Sequence, residues 1–162
     1  IMGSRWRESV HGALYGAGPE GSHEADRAVA LLVGLDPTRA IALVRVLAPL
    51  ARARLVDDPH RVIQMALGLQ PDLIVSGSAV AGEVTALLAS LGADPALEDI
   101  PVIVLATGDS DDTRREAMRG GALAWLPHTA DPEALLARVR LAVRFRRLAQ
   151  ARAIPMLHPV RP

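Results

Sequence analysis

Five short, largely apolar runs alternating with stretches of helical period constrain this chain more than any other feature. The runs fall at residues 28–33, 54–56, 73–75, 100–105 and 123–126. Unbroken apolar runs of this length predict strands buried on both faces. Three Asp-Pro pairs, at 36–37, 58–59 and 131–132, supply helix starts, with Asp as N-cap and Pro in the first turn. The first helix is expected to carry Ile41, Val44, Leu47 and Leu50 on one face, with Pro49 as its limit. The second presents Val62, Ile63, Ala66 and Leu67 and ends at Gly68; the third, from about residue 80 to 91, presents Val84, Leu87, Leu88 and Leu91. A short helix at 113–119 closes on Gly120-Gly121, and the longest opens at Asp131-Pro132 and reaches about Arg152. This alternation predicts βαβ units and a parallel sheet with helices on both faces.

The pattern occupies residues 27–150, which are expected to form one domain. Residues 1–26 hold five glycines and no sustained period. They read as a flexible tail, in part vector-derived, with at most one amphipathic turn at Trp6, Val10, Leu14 and Tyr15. Residues 151–162 carry three prolines and read as a linker or tail.

Composition narrows the function classes. Acidic and basic residues balance at 18 each, and one Phe and one Tyr offer little for base stacking, so no nucleic-acid partner is expected. The absence of cysteine excludes disulfides and thiolate metal sites. No apolar run approaches the roughly 20 residues that span a bilayer, and no secretory signal pattern opens the sequence. A soluble cytoplasmic protein without a membrane partner is the expectation.

In an open parallel sheet, ligands and chemistry gather at the carboxyl ends of the strands. The third run, Pro71-Asp72-Leu73-Ile74-Val75, leads into Ser76-Gly77-Ser78, so a glycine stands where a reactive side chain is expected. The run joins three other features at consistent spacing: Asp99-Ile100-Pro101-Val102-Ile103-Val104-Leu105, then Gly120-Gly121-Ala122 before an aromatic strand, then Asp131-Pro132-Glu133-Ala134-Leu135-Leu136. Together they resemble the receiver domain of bacterial response regulators over residues 28–148. The resemblance implies an α/β, flavodoxin-like (βα)5 three-layer sandwich with strand order 2-1-3-4-5.

Receivers of this family accept a phosphoryl group on an aspartate beside a bound magnesium ion. Carried onto this sequence, the acidic metal-binding pair falls on Gly34 and Leu35, and the phospho-accepting aspartate on Gly77. The hydroxyl residue falls on Ala106, with Thr107 one place late, and the lysine on His128, followed by Thr129 rather than proline. Magnesium requires oxygen ligands, usually carboxylates, and phosphoryl transfer depends on charge neutralisation by metal and cation. No cofactor and no magnesium-dependent aspartyl phosphate are therefore expected, and the resemblance is to a degenerate, or pseudo-, receiver.

The remaining polar residues read structurally. Asp36 is expected to cap a helix rather than bind metal, and Asp109, Asp111 and Asp112 to form a solvated loop and helix start. Ser76 and Ser78 flank Gly77 and are weak candidates for phosphate from another kinase. His128 is expected in a surface loop, and His11, His23, His60 and His158 are too dispersed to suggest a metal cluster. No nucleophile–base set is visible, so no enzymatic activity is expected.

The last helix carries more information. At 100° per residue, Leu135, Leu136, Val139 and Val143 make one stripe that should face the sheet, and Ala134, Leu141, Phe145 and Leu148 make a second, roughly opposite. Arg138, Arg140, Arg144, Arg146 and Arg147 are expected to flank both stripes. Arginine beside aromatic and aliphatic side chains suits a protein interface. The resemblance places a dimer or output surface on the fourth helix, fifth strand and fifth helix, here Arg115, Arg119, Trp125, Leu141, Phe145 and Leu148. A phosphorylation-independent interaction or homodimerisation module of a bacterial signalling protein is the leading expectation. The alternative is a small-molecule or nucleotide sensor, with Gly34, Gly77, Ser78, Ala106 and Gly108 leaving room at the strand ends.

Overall fold

Successive residues along β1 (Ala28–Val33) point to opposite faces of the sheet, and both faces are buried: Leu32 enters one core and Leu31 the other. The computed structural model describes residues 27–77, 82–108 and 110–153. After β1 come α1 (Pro37–Leu47), β2 (Ala51–Val56), a 3₁₀ turn (Pro59–Arg61) leading into α2 (Val62–Leu69), and β3 (Leu73–Gly77). Then follow α3 (Glu83–Gly92), β4 (Val102–Ala106), α4 (Asp111–Arg119), β5 (Ala124–Pro127) and α5 (Pro132–Ala153). The five strands are all parallel, in the order β2-β1-β3-β4-β5. That is the flavodoxin-like topology expected from the sequence. The expectations for residues 1–26, Ser78, Asp109 and residues 154–162 lie outside the described residues.

One core lies between the sheet and the pair α1 and α5, built on Leu32, Leu47, Val75, Ile103 and Val139. The other lies under α2, α3 and α4, built on Leu31, Val62, Ile74, Leu91 and Val104. Each such side chain, fully withdrawn from water, contributes about 1.5–3 kcal/mol. The Pro71-Asp72 start of β3 has a physical role here. Asp72 Oδ2 accepts the Val29 N–H at 2.8 Å, and the Asp72 N–H donates to the Val29 carbonyl at 2.8 Å. This pins β3 to β1 where both strands begin.

Several local expectations are corrected. The buried face of α1 is Ala40, Leu43 and Leu47, and Ile41 and Val44 are only half-buried, because small Ala40 lets the helix sit close to the sheet. Strand β2 begins at Ala51 rather than Arg54; its alternation of Ala and Arg suits an edge strand with one face partly in water. Helix α2 stops not at Gly68 but with Gln70 as cap in the left-handed region, φ 47°, its N–H bonded to the Ala66 carbonyl. Leu67, assigned to the inner face of α2, is exposed. Helix α3 begins at Glu83 rather than near residue 80.

Arg146 is the largest correction. Its place on α5 puts it in line with Leu135, Val139 and Ala142 on the buried stripe, and it is only 5% exposed. Its Nη2 donates to Gln70 Oε1 at 2.8 Å, while Nε makes no hydrogen bond. The pair ties α5 to the α2–β3 turn across 76 residues of sequence.

Candidate functional site

The carboxyl ends of β1 and β3 are joined by backbone. Val33 pairs with Ser76 in the parallel register, which brings Gly34 beside Gly77. Gly34 has φ 63°, a left-handed conformation that glycine adopts without penalty. In that conformation its carbonyl lies over the Cα of Gly77. A Cβ added at Gly77 would overlap the Gly34 carbonyl oxygen and stand 3.1 Å from its carbon and 3.2 Å from Leu35 Cδ2. The position where the resemblance puts an acceptor aspartate thus lacks space for any side chain.

The neighbours of this contact are also committed elsewhere. Ser76 is 4% exposed and its hydroxyl donates to the Gly77 carbonyl at 3.0 Å, so it does not present a phosphate-accepting group to solvent. Asp36 caps α1, accepting the Arg39 N–H at 3.0 Å through Oδ1 and pairing with Arg39 Nε at 3.2 Å through Oδ2. Asp58 accepts the His60 N–H at 3.0 Å. Ser110 caps α4 through the Thr113 N–H at 3.3 Å, and Asp111 and Asp112 occupy its exposed first turn. Asp112 meets Arg115 at 3.5 Å, with both side chains largely in water, a pair worth little to stability. Among the described residues, no three His, Cys, Asp or Glu side chains gather where they could hold a metal ion.

The five positions singled out from the sequence do not line one pocket. Gly34 and Gly77 border a cavity of about 400 Å³ between α2 and α3, together with Pro59, His60, Glu83 and Leu87. Leu35 and His128 border a smaller, mostly apolar cavity of about 170 Å³ on the opposite face of the sheet, with Arg39, Leu43 and Leu135. Ala106 is buried between them, 2% exposed. Its carbonyl accepts the His128 N–H at 2.8 Å and lies 3.0 Å from His128 Nδ1. A carbonyl only accepts, so Nδ1 carries the proton and the ring is oriented by the backbone. The room expected at the strand ends opens to either side of the close Gly34–Gly77 contact, with both glycines on the wall of the larger cavity.

The other candidate surface is built from side chains. Leu141, Phe145 and Leu148 on α5 are 48%, 49% and 56% exposed, while Leu135, Val139 and Ala142 hold the opposite face of the same helix in the core. Arg115 and Arg119 project from α4, and Trp125 on β5 is half-buried against the core under α4. Met118, 44% exposed on α4, belongs with these exposed apolar residues and was missed from the sequence. Its signal was present, since Ala117 alone marks the inward position of α4 and leaves Met118 facing out. Phe145 and Leu148 share a depression of about 410 Å³ with Asp99, at the approach to β4. Among the described residues, no helix is long and apolar enough to cross a membrane.

A five-stranded parallel sheet in this order, with α1 and α5 on one face and α2 to α4 on the other, defines the doubly wound flavodoxin-like class. Within that class the fold is that of response-regulator receiver domains. It superposes on the signal receiver domain of an HD domain-containing protein from Pseudomonas fluorescens with TM-score 0.67, at 21% identity over 75% of this chain and 98% of that one. The activated N-terminal receiver domain of RstA from Klebsiella pneumoniae gives TM-score 0.63 at 23% identity, covering 72% and 98%. The receiver domain of the sensor histidine kinase PA1611 from Pseudomonas aeruginosa, which has magnesium coordinated in its active-site cleft, gives 0.62 at 19% identity, covering 74% and 98%. No protein-family model matches the sequence, and no curated protein matches it.

Proposed function

We propose that this chain is a pseudo-receiver: a cytoplasmic, non-enzymatic signalling module that works without aspartyl phosphate and engages a protein partner, or a second copy of itself, through α5. The exposed stripe Leu141–Phe145–Leu148 carries this reading. A helix that already buries one apolar face gains nothing by exposing a second unless that face meets a partner. Arg115, Arg119 and Trp125 extend the surface across α4 and β5. Independence from phosphate rests on chemistry: Gly34, Leu35 and Gly77 supply no carboxylate for a divalent cation and no acceptor oxygen.

Light scattering over a wide concentration range tests the interface. The mass should rise with concentration, and Phe145→Glu should hold it at one chain by placing a charge in the centre of an apolar contact. Association that survives Phe145→Glu unchanged overturns the reading. A ligand-sensing role is the second reading, favoured by the cavity of about 400 Å³ beside the strand ends. Its signature is a metabolite that raises the unfolding midpoint at micromolar concentration and loses that effect in Leu87→Trp, which fills the cavity.

A further inference from the structure

Two residues singled out from the sequence, Leu35 after β1 and His128 after β5, share a cavity that neither proposed reading uses. It holds about 170 Å³ on the α1–α5 face of the sheet, opposite the larger cavity bordered by Gly34 and Gly77. Its apolar walls are Leu35, Leu43, Val46, Leu105 and Leu135. Helix α1 supplies one side through Arg39, Ala42, Leu43 and Val46, spaced i, i+3, i+4 and i+7 along a single helical face. Ala42, with its short side chain, leaves the space open. An apolar cavity of about 150 Å³ is large enough for a benzene ring, whereas drug-sized ligands and cofactors take pockets of about 300–1,000 Å³. The walls therefore admit one ring or a short branched chain and exclude a nucleotide.

The polar groups at this cavity select the head of the ligand. Arg39 and His128 are its ionisable lining residues, and among the described residues no carboxylate lines it. Arg39 Nε meets Asp36 Oδ2 at 3.2 Å, which offsets part of the guanidinium charge and leaves Nη1 and Nη2 for a ligand. His128 Nδ1 is held on the Ala106 carbonyl at 3.0 Å, so Nε2 is the ring nitrogen left for a ligand. An imidazolium Nε2 and a guanidinium fork both donate, and two such donors on one small apolar cavity fit a carboxylate. We infer that this cavity binds a small apolar monocarboxylate, its ring or branched chain against Leu43 and Leu135 and its oxygens at Arg39 and His128. The site is separate from the outer face of α5 and does not rest on the interface reading.

Benzoate is the probe. Titrated into the isotope-enriched whole chain, it should shift the NMR signals of Leu35, Leu43 and Leu135 saturably. Its ring protons should give nuclear Overhauser effects to the Leu43 and Leu135 methyl groups. Benzamide, close in shape but uncharged, should bind about tenfold more weakly, the worth of a hydrogen bond to a charged group. His128→Gln should weaken benzoate by a similar factor and leave benzamide unchanged. Ala42→Leu, at an exposed position of α1 and with a good helix former, should keep the fold and abolish the shifts by filling the space. Equal affinity for benzoate and benzamide overturns the carboxylate assignment. Binding that survives Ala42→Leu, or saturation without contacts to the Leu43 and Leu135 methyl groups, overturns the placement. Shifts confined to Ile63 and Leu87 put the ligand in the larger cavity, and the absence of saturable shifts leaves no site; either result overturns the proposal.

Discussion

The carboxyl ends of the strands and the outer face of α5 differ in what their atoms can do. At the first, Gly34 and Gly77 meet through backbone, Ser76 bonds to the Gly77 carbonyl, and the His128 ring is held on the Ala106 carbonyl. At the second, Leu141, Phe145 and Leu148 project from a helix whose other face is anchored by Leu135 and Val139. At the strand ends this chain has packing of backbone and committed side chains. Where a helix of a lone domain is expected to be polar, it exposes apolar side chains. The contrast teaches that a shared fold does not carry its site with it. Activity must be argued from the side chains present.

The largest expected effect comes from breaking the backbone contact. Gly77→Asp forces a Cβ against the Gly34 carbonyl, which no rotamer change relieves, and overpacking of this kind costs about 3 kcal/mol. Urea unfolding should show the loss, and intact mass after treatment with magnesium and a small phosphodonor should show no added phosphate. A variant of native stability that takes up one phosphate would mean that only the acceptor had been lost, and the contrast between the two regions would collapse.

Next in size is the tie that holds α5 in place. Gln70→Ala removes the carbonyl that accepts from Arg146 Nη2 and leaves a second guanidinium donor buried without a partner, at about 1–3 kcal/mol. Arg146→Met removes the charge together with its unmet donors, and swaps of that kind are often neutral or stabilising. The pair of variants separates a structural fastening from mere filling. If Gln70→Ala is harmless and Arg146→Met costly, the hydrogen bond is not what fixes the helix. A smaller loss, about 1 kcal/mol, is expected for Asp36→Ala, which removes the α1 N-cap beside the strand ends. No change in the unfolding midpoint would indicate that Arg39 has no need of the carboxylate and that the cap is decorative.

Much of this fold was legible because local signals and burial agreed. Asp36 and Asp131 cap helices as their Asp-Pro pairs suggest, the latter accepting the Glu133 N–H at 3.1 Å, and the strands sit where the apolar runs are. Asp58-Pro59 was half legible: it opens a 3₁₀ turn before α2 rather than α2 itself. What escaped depends on distant partners. Arg146 reads as a surface arginine until Gln70, far away in sequence, is brought beneath it. Gln70 in turn takes the left-handed cap that Gly68 was expected to serve, against its intrinsic preference. At the candidate site, the absence of a carboxylate at Gly34, Leu35 and Gly77 was legible position by position. The closure of the site was not, because it depends on the register that sets Gly34 against Gly77.

The smallest expected effect on stability is also the most informative about function. Phe145 is 49% exposed and its ring carries no hydrogen-bonding group, so Phe145→Glu should shift unfolding free energy by less than about 0.5 kcal/mol. The same substitution should remove any association through α5. A residue whose replacement leaves folding intact and abolishes association serves the interface. Gly77, whose replacement does the reverse, serves the fold. If Phe145→Glu instead unfolds the chain by several kcal/mol, its ring is a structural element of the fold, and the outer stripe loses its claim to be the working surface.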